Sequence, residues 1–422
     1  MAPLTVMIGT FTAPNGDIGG GMDMEGAPSE SHGVYSVSFD PSTGTFDAGT
    51  LALRADAGAA PGAPSPSWLR WNPNGLPVMY TNNETFSEDH GPGSVTAYAV
   101  HAGATGVQLA LLNRLSTLGT SPCFVDVHPE GTHLAVANYS VDIPSRGGSV
   151  AIMSLDPRTG ALVERTDWVQ SAVATEPHIV EPRSEPQEDG TSLLTPHTHS
   201  CLFDPTGAWL LVGDVGNDRV TVYAFDQATG KITKHSEALV TPLGGARHLA
   251  LSADSRFLYV NEEAGGRVHA FAWDAVTGSL TPLGPPLNTL VDESDRGVPG
   301  TGTADLQLSP DGTRLYCANR GSNGGGPPKQ DTLATFAVDK ATGSLSFLAH
   351  TNVNTHPRHF RIDPTAQWML FTAMHEDTID VYRIGEDGVP TATGERLKVP
   401  TPTHSLFVEP ALEDALAQAA KL

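Results

Sequence analysis

A short apolar-rich run ending in a tight turn recurs seven times along this chain, and no other feature restricts the fold as much. The copies occupy residues 67–73, 123–129, 199–205, 247–253, 304–310, 358–364 and 404–410. After most of them an Asn, Asp or Glu and a Gly supply the chemistry of a type I turn. A second apolar run follows at once, as at Leu210-Leu211-Val212-Gly213 and Leu315-Tyr316-Cys317-Ala318. Two such runs about a tight turn predict a β-hairpin.

A further series of turns closes each repeat. Asp40-Pro41-Ser42-Thr43-Gly44 has counterparts at 156–160, 226–230, 274–278 and 339–343, with looser versions at 102–106 and 386–388. These mark bends between a third strand, clearest at 33–39, and a fourth. Four strands repeated seven times predict an all-β, seven-bladed β-propeller of four-stranded antiparallel blades.

From Gly44 to Gly388 the turn glycines are spaced about 57 residues apart, more than the roughly 40–45 of a WD40 blade, so the surplus belongs to loops. The first run at 404–410 has no second run after it, and the second run at Val6-Met7-Ile8-Gly9 has no first run before it. One blade is therefore expected to be shared between the termini, with the C-terminal strand as its inner edge, which leaves no inner edge unpaired. The repeat overrides the multi-domain prior of a long chain: residues 1–422 read as one domain, with the helix-forming stretch 411–422 expected as a short terminal helix or tail.

The long connections, at 12–32, 85–93, 140–148, 165–196, 288–301 and 321–330, all fall on one face and are expected to roof one end of the central channel. Loops on a rigid scaffold carry binding residues. Gly19-Gly20-Gly21 and Gly324-Gly325-Gly326 do not lead a strand into a helix as a phosphate loop requires, and no cofactor is expected. The residue opening each first strand (Ser67, Cys123, His199, Arg247, Ala304, Arg358, His404) and the residue closing each second strand (Phe11, Asn83, Tyr139, Val215, Glu263, Arg320, Met374) should ring the roofed mouth. Three Arg and two His in that ring are an enrichment, because the chain carries 24 basic against 47 acidic side chains, a net charge of −23. Such a field excludes nucleic acid and anionic membrane as partners, so basic groups gathered in one place are informative. Charges crowded in a low-dielectric funnel are costly unless they pair or serve a ligand, and three guanidiniums against one carboxylate do not pair completely.

Gly245-Ala246-Arg247-His248-Leu249, Tyr259-Val260-Asn261-Glu262-Glu263, Asn319-Arg320-Gly321 and His356-Pro357-Arg358-His359-Phe360, in that order, resemble the seven-bladed propeller lactonase family, which includes propeller-type 6-phosphogluconolactonases and carboxy-cis,cis-muconate cyclases. The resemblance spans nearly the whole chain. It implies an active site of one His, two Arg and one Glu, carried here by His199, Arg247, Arg320 and Glu263. Consecutive glutamates leave Glu262 as an alternative to Glu263, although ungapped spacing from Arg247 favours Glu263. Gln307 stands where relatives often have His, a departure pointing to a different substrate.

Hydrolysis of a lactone needs an activated water, charge stabilisation for the oxyanion and a proton for the leaving alkoxide. The assignment is Glu263 as general base, Arg247 and Arg320 as oxyanion and anion clamps, and His199 as proton donor, with Arg358, His404, Asn83, Tyr139 and His197 as substrate-binding groups. The substrate expected is a small lactone or carboxylate. The same residues run backwards would serve a lactonising muconate cyclase, and the competing class is a non-enzymatic scaffold, which would present apolar hot spots at its rim instead. His197 and His199, at i and i+2, are the one metal alternative, but no third ligand adjoins them and the Arg residues would repel a cation, so no metal is expected.

No apolar run approaches 18 residues and the N-terminus lacks signal-peptide character. Cys123, Cys201 and Cys317 lie in predicted strands rather than in a disulfide framework. The expectation is a cytoplasmic protein, monomeric or weakly homo-oligomeric.

Overall fold

The computed structural model describes residues 2–12, 31–56, 64–85, 93–103, 106–139, 148–171, 174–175, 184–186, 192–194, 196–298, 301–321, 330–408 and 412. Seven antiparallel sheets form the blades. From the channel outward, blade 1 is Pro402–Phe407, Leu4–Thr10, Gly33–Asp40 and Thr45–Asp56. Blades 2 to 7 follow in chain order, with inner strands Leu69–Trp71, Pro122–Val127, Thr198–Phe203, Ala246–Leu251, Gly302–Leu308 and Pro357–Ile362. The shared blade closes as expected, with Val6 opposite Phe407 and Ile8 opposite Ser405.

Each inner strand is walled by a second strand buried on both sides, such as Val78–Asn83 and Phe257–Glu262. The fourth strands, such as Lys231–Leu239 and Pro390–Lys398, are mostly exposed or half-buried, forming the solvated rim of each blade. The core is distributed: seven apolar clusters are each shared by two neighbouring blades, including one that joins blade 7 (Trp368, Leu370, Ile379) to blade 1 (Val6, Ile8, Val37, Phe39).

The third-to-fourth turns dock against the blade before them. Tyr80 Oη donates to Gly160 O (2.8 Å), Tyr316 Oη to Gly388 O (2.8 Å) and Trp368 Nε1 to Pro41 O (2.8 Å). Gly44 meets two demands at once, a positive φ of 74° and a Trp368 ring 2.4 Å from where a Cβ would stand, so the Gly of this turn is fixed by packing as well as by turn chemistry.

The connection expected at 165–196 begins later, because Leu162–Gln170 is the fourth strand of blade 3; it carries a small sheet of Ala174–Thr175, Ser184–Pro186 and Ser192–Leu194. Much of the remaining roof lies outside the described residues, as does the 411–422 tail apart from Leu412. The three cysteines are free and buried. Among the described residues no helix is long and apolar enough to cross a membrane.

Candidate active site

In six blades the inner strand loses register with its neighbour near its start. The pairing skips Cys123, His199, Arg247-His248, Ala304-Asp305, Arg358 and Thr403. A bulge leaves one residue outside the ladder and re-aims its side chain, which is how the openers come to serve the channel mouth rather than the blade.

This register corrects two expected positions. His404 is paired, opposite Gly9, and Thr403 is the bulged residue of blade 1. His404 therefore sits one step deeper, beside Trp68 (ring centroids 4.2 Å) and His359 (4.0 Å). Asn83 Oδ1 accepts hydrogen bonds from Thr96 Oγ1 (2.7 Å) and Ser94 Oγ (3.1 Å) of the third strand. The closing residue of blade 2 is Glu84, whose N–H bonds to Ser65 O as Glu263 N–H bonds to Gly245 O. The physical cause is turn length: five residues lie between Asn72 and Val78, whose backbone atoms close the turn, against four between Asp204 and Trp209.

The charged groups form two clusters. On blades 5 and 6, Arg247 Nε donates to Glu263 Oε2 (2.9 Å), its Nη1 donates to Ala304 O (2.6 Å) and lies 3.2 Å from His248 Nε2, and Arg320 Nη2 stands 3.8 Å from Glu263 Oε1 while donating to Thr303 O (2.9 Å). On blades 7, 1 and 2, Arg358 lies over the Phe11 ring (5.1 Å) and reaches Glu84 Oε1 (3.4 Å), while Ser67 Oγ donates to Glu84 Oε2. The second carboxyl corrects the expected count: among the described residues, three guanidiniums at the mouth face two carboxyl groups. Arg320 Nη1 and His199 Nδ1 have no hydrogen-bond partner among the described residues.

Between the clusters stand His199 and Tyr139, edge to face with centroids 5.9 Å apart. His197 stacks on the Tyr139 ring (4.5 Å) and its Nδ1 lies 3.1 Å from Tyr139 O, so the two imidazoles of 197 and 199 do not converge. Among the described residues no three potential ligand side chains gather to hold a metal. Glu262 turns to the opposite face of its strand: Oε1 takes His269 Nε2 (2.6 Å) and Thr241 N–H (2.8 Å), and Oε2 lies 3.6 Å from Arg267. Gln307 is bound below the mouth, donating to Asp305 Oδ2 (2.7 Å) and Phe360 O.

Burial and then the neighbouring Arg247 hold the His199 imidazole well below its ordinary pKa, so at neutral pH it is uncharged, at odds with the proton-donor role expected of it. Burial pushes the Glu84 carboxyl up, against the opposing pull of Arg358 and the Ser67 hydrogen bond. Burial, with Arg247 next, brings Arg320 down to about 9.

Beneath the mouth, Trp68 stacks on Phe124 (4.1 Å), and His248 Nδ1 meets Asp305 Oδ1 (2.9 Å). The His248–Asp305 pair fixes the imidazole so that Nε2 presents a lone pair to Arg247. A cavity of about 570 Å³ opens on the far side, lined by Trp68, His248, His359 and His404. Arg70 meets Asp126 in its lining (2.9 Å), His404 Nδ1 has no hydrogen-bond partner among the described residues, and none of the mouth's charged groups reaches the cavity.

Fold and site together define a propeller with a net-basic, carboxylate-bearing socket at one end of its channel. The sequence matches the family described as Lactonase, 7-bladed beta-propeller, over residues 5–407, and the chain belongs to that family. It is 26% identical to the 6-phosphogluconolactonase of Formosa agariphila over 75% of this chain and 80% of that protein. It is 25% identical to the 6-phosphogluconolactonase of Bacillus subtilis over 90% and 95%. Among solved structures, a periplasmic gluconolactonase of Pseudomonas aeruginosa superposes with a TM-score of 0.77 at 25% identity, covering 97% of this chain and 99% of that one.

Proposed function

We propose that this protein hydrolyses a sugar-acid or related small anionic lactone at the channel mouth, by acid–base chemistry that needs no metal. The observation that carries the reading is Glu263 held between Arg247 (2.9 Å) and Arg320 (3.8 Å), beside an Arg320 N–H left without a partner among the described residues. A carboxylate so placed can take a proton from water, while guanidinium N–H groups stabilise the oxyanion that forms as water adds. Neutral His199 can donate a hydrogen bond to the substrate, and Tyr139 and Arg358 stand within the same ring to orient it.

The similar proteins are called 6-phosphogluconolactonase and gluconolactonase, which favours ring opening over muconate ring closure with the same groups. The test is a panel of aldonolactones, phosphorylated gluconolactones and muconolactones followed by proton release at constant pH. Turnover of at least one, lost in Glu263→Gln, is the expected result; no turnover of any would defeat the reading and favour the scaffold alternative.

A further inference from the structure

We propose that Glu84 is a second catalytic carboxylate, protonating the leaving alkoxide while Glu263 takes the proton from the attacking water. This rests on the lactone-hydrolase reading and adds to it a residue and a division of labour.

The placement comes from the fold. Glu84 closes the second strand of blade 2 as Glu263 closes that of blade 5, each through its N–H to the carbonyl two residues before the opener of its blade. Blades 2 and 5 are three apart in a ring of seven, as far apart as the ring allows, so the two carboxyls address the mouth from opposite sides. A lactone lying across the channel presents its carbonyl carbon to one and its ring oxygen to the other.

Their surroundings differ in the way that separates a base from an acid. Glu263 is tied at 2.9 Å to Arg247 and approached by Arg320, which favours its charged form. Glu84, 4% exposed at its side chain, has a hydroxyl contact from Ser67 and a single looser guanidinium contact, Arg358 at 3.4 Å, and that guanidinium is shared with the Phe11 ring. The charged or titratable groups that bear on Glu84 are Arg358 from blade 7, Arg247 from blade 5 and the Cys123 thiol from blade 3. Burial outweighs the two cations and raises its pKa. His199 is a poor source of the proton, because burial first, and then Arg247, His248, Arg358 and Arg320, oppose its charging.

The step balances. An O–H bond of water breaks and its proton goes to Glu263 as the water oxygen bonds the carbonyl carbon. The ring C–O bond then breaks, and its oxygen takes the proton of Glu84. The new carboxylic acid ionises, Glu263 releases its proton to solvent and Glu84 regains one, so the sum is lactone plus water giving hydroxycarboxylate plus one proton.

The experiment compares the best lactone of the panel with its isostere carrying sulfur in place of the ring oxygen, whose thiolate leaves without protonation. Glu84→Gln keeps the carboxamide oxygen for Ser67 but has no acidic proton. The variant is expected to lose about 10²-fold or more in kcat/KM on the lactone and less than about 5-fold on the thiolactone, and to lose the high-pH decline of the wild-type profile. Equal losses on both substrates, or no loss on the lactone, would overturn the proposal. Glu263→Gln, which serves both substrates as base, should lose activity on both, and that comparison separates failure of Glu84's role from failure of the hydrolase reading. Should Glu84→Gln prove unfolded by its melting curve, Ser67→Ala carries the test. Removing the hydrogen bond that lowers the Glu84 pKa moves the high-pH decline upward, and an unmoved decline overturns the proposal.

Discussion

Replacing Glu263 and Glu262 separately by Gln should cost stability at both positions and activity at Glu263 alone. The two are sequence neighbours on opposite faces of one strand, and a Gln at either keeps volume while removing charge. Glu263 is 17% exposed at its side chain and reaches the mouth; without its charge Arg247 still donates to Ala304 O and contacts His248. Its partners Arg247 and Arg320 are buried, so the stability loss is set at ~3 kcal/mol, the lower end for breaking a buried pair because Gln keeps an acceptor oxygen, whereas loss of a general base lowers the rate about 10² to 10⁴-fold, or ~3–5 kcal/mol of barrier. Glu262 is fully buried against His269 and Thr241, with Arg267 at 3.6 Å. Breaking such a pair costs ~3 kcal/mol, the lower end of the range because its partners are partly exposed. At ~2.1 cal/mol/K per residue over 422 residues, the unfolding entropy is ~0.9 kcal/mol/K, so Glu262→Gln and Glu263→Gln should each lower Tm by ~3 °C. Calorimetry and initial rates of proton release on the same preparations read both. A Glu262→Gln enzyme as inactive as Glu263→Gln with an unchanged melt would refute the assignment of faces.

Deleting residues from Pro402 onward should expose the inner edge of Leu4–Thr10 and yield aggregated or unstable protein, since the deleted strand Pro402–Phe407 also supplies Phe407 O to Trp71 Nε1; a normal melt would remove the closure from any role in stability. Dialysis against a chelator should leave lactone turnover unchanged, and activity lost and restored by one divalent ion would count against metal-free chemistry. Melting temperature should fall as pH drops from about 6.5 toward 4. Burial lowers His133 and His248 to about 4 and His359 to about 3, so folded pKa values lie below unfolded ones, the unfolded chain binds more protons and stability rises with pH across that window. A flat Tm over this range would contradict the neutral state of these imidazoles.

The fold was legible because its turns are written in Gly, Pro and Asp chemistry at each repeat, and because the orphaned runs near Val6 and Pro410 could be completed only by each other. The site was legible only to within one residue. A one-residue longer turn before Val78 moved the closing position from Asn83 to Glu84, and Pro410 lies one place later than its counterparts, which moved the opening position from His404 to Thr403. The first shift comes from loop length, which a pattern of apolar runs does not record. The bulges, too, are pairing properties with no residue signature of their own, so the deeper tier of His248, Asp305 and His359 could not be separated from the mouth above it.

Those bulges also divide the molecule's tasks. A residue outside the ladder does not set strand register, and Cys123, His199, Arg247 and Arg358 stand in none of the seven inter-blade cores, so the side chain at such a place can change from Cys123 to His199 to Arg247 without renegotiating how blades pair or pack. The channel mouth is in effect a set of sockets, six of them at bulges, on a fixed ring. A new specificity in this scaffold is therefore open to stepwise substitution, one blade at a time, at little expense to the architecture that holds the others in place.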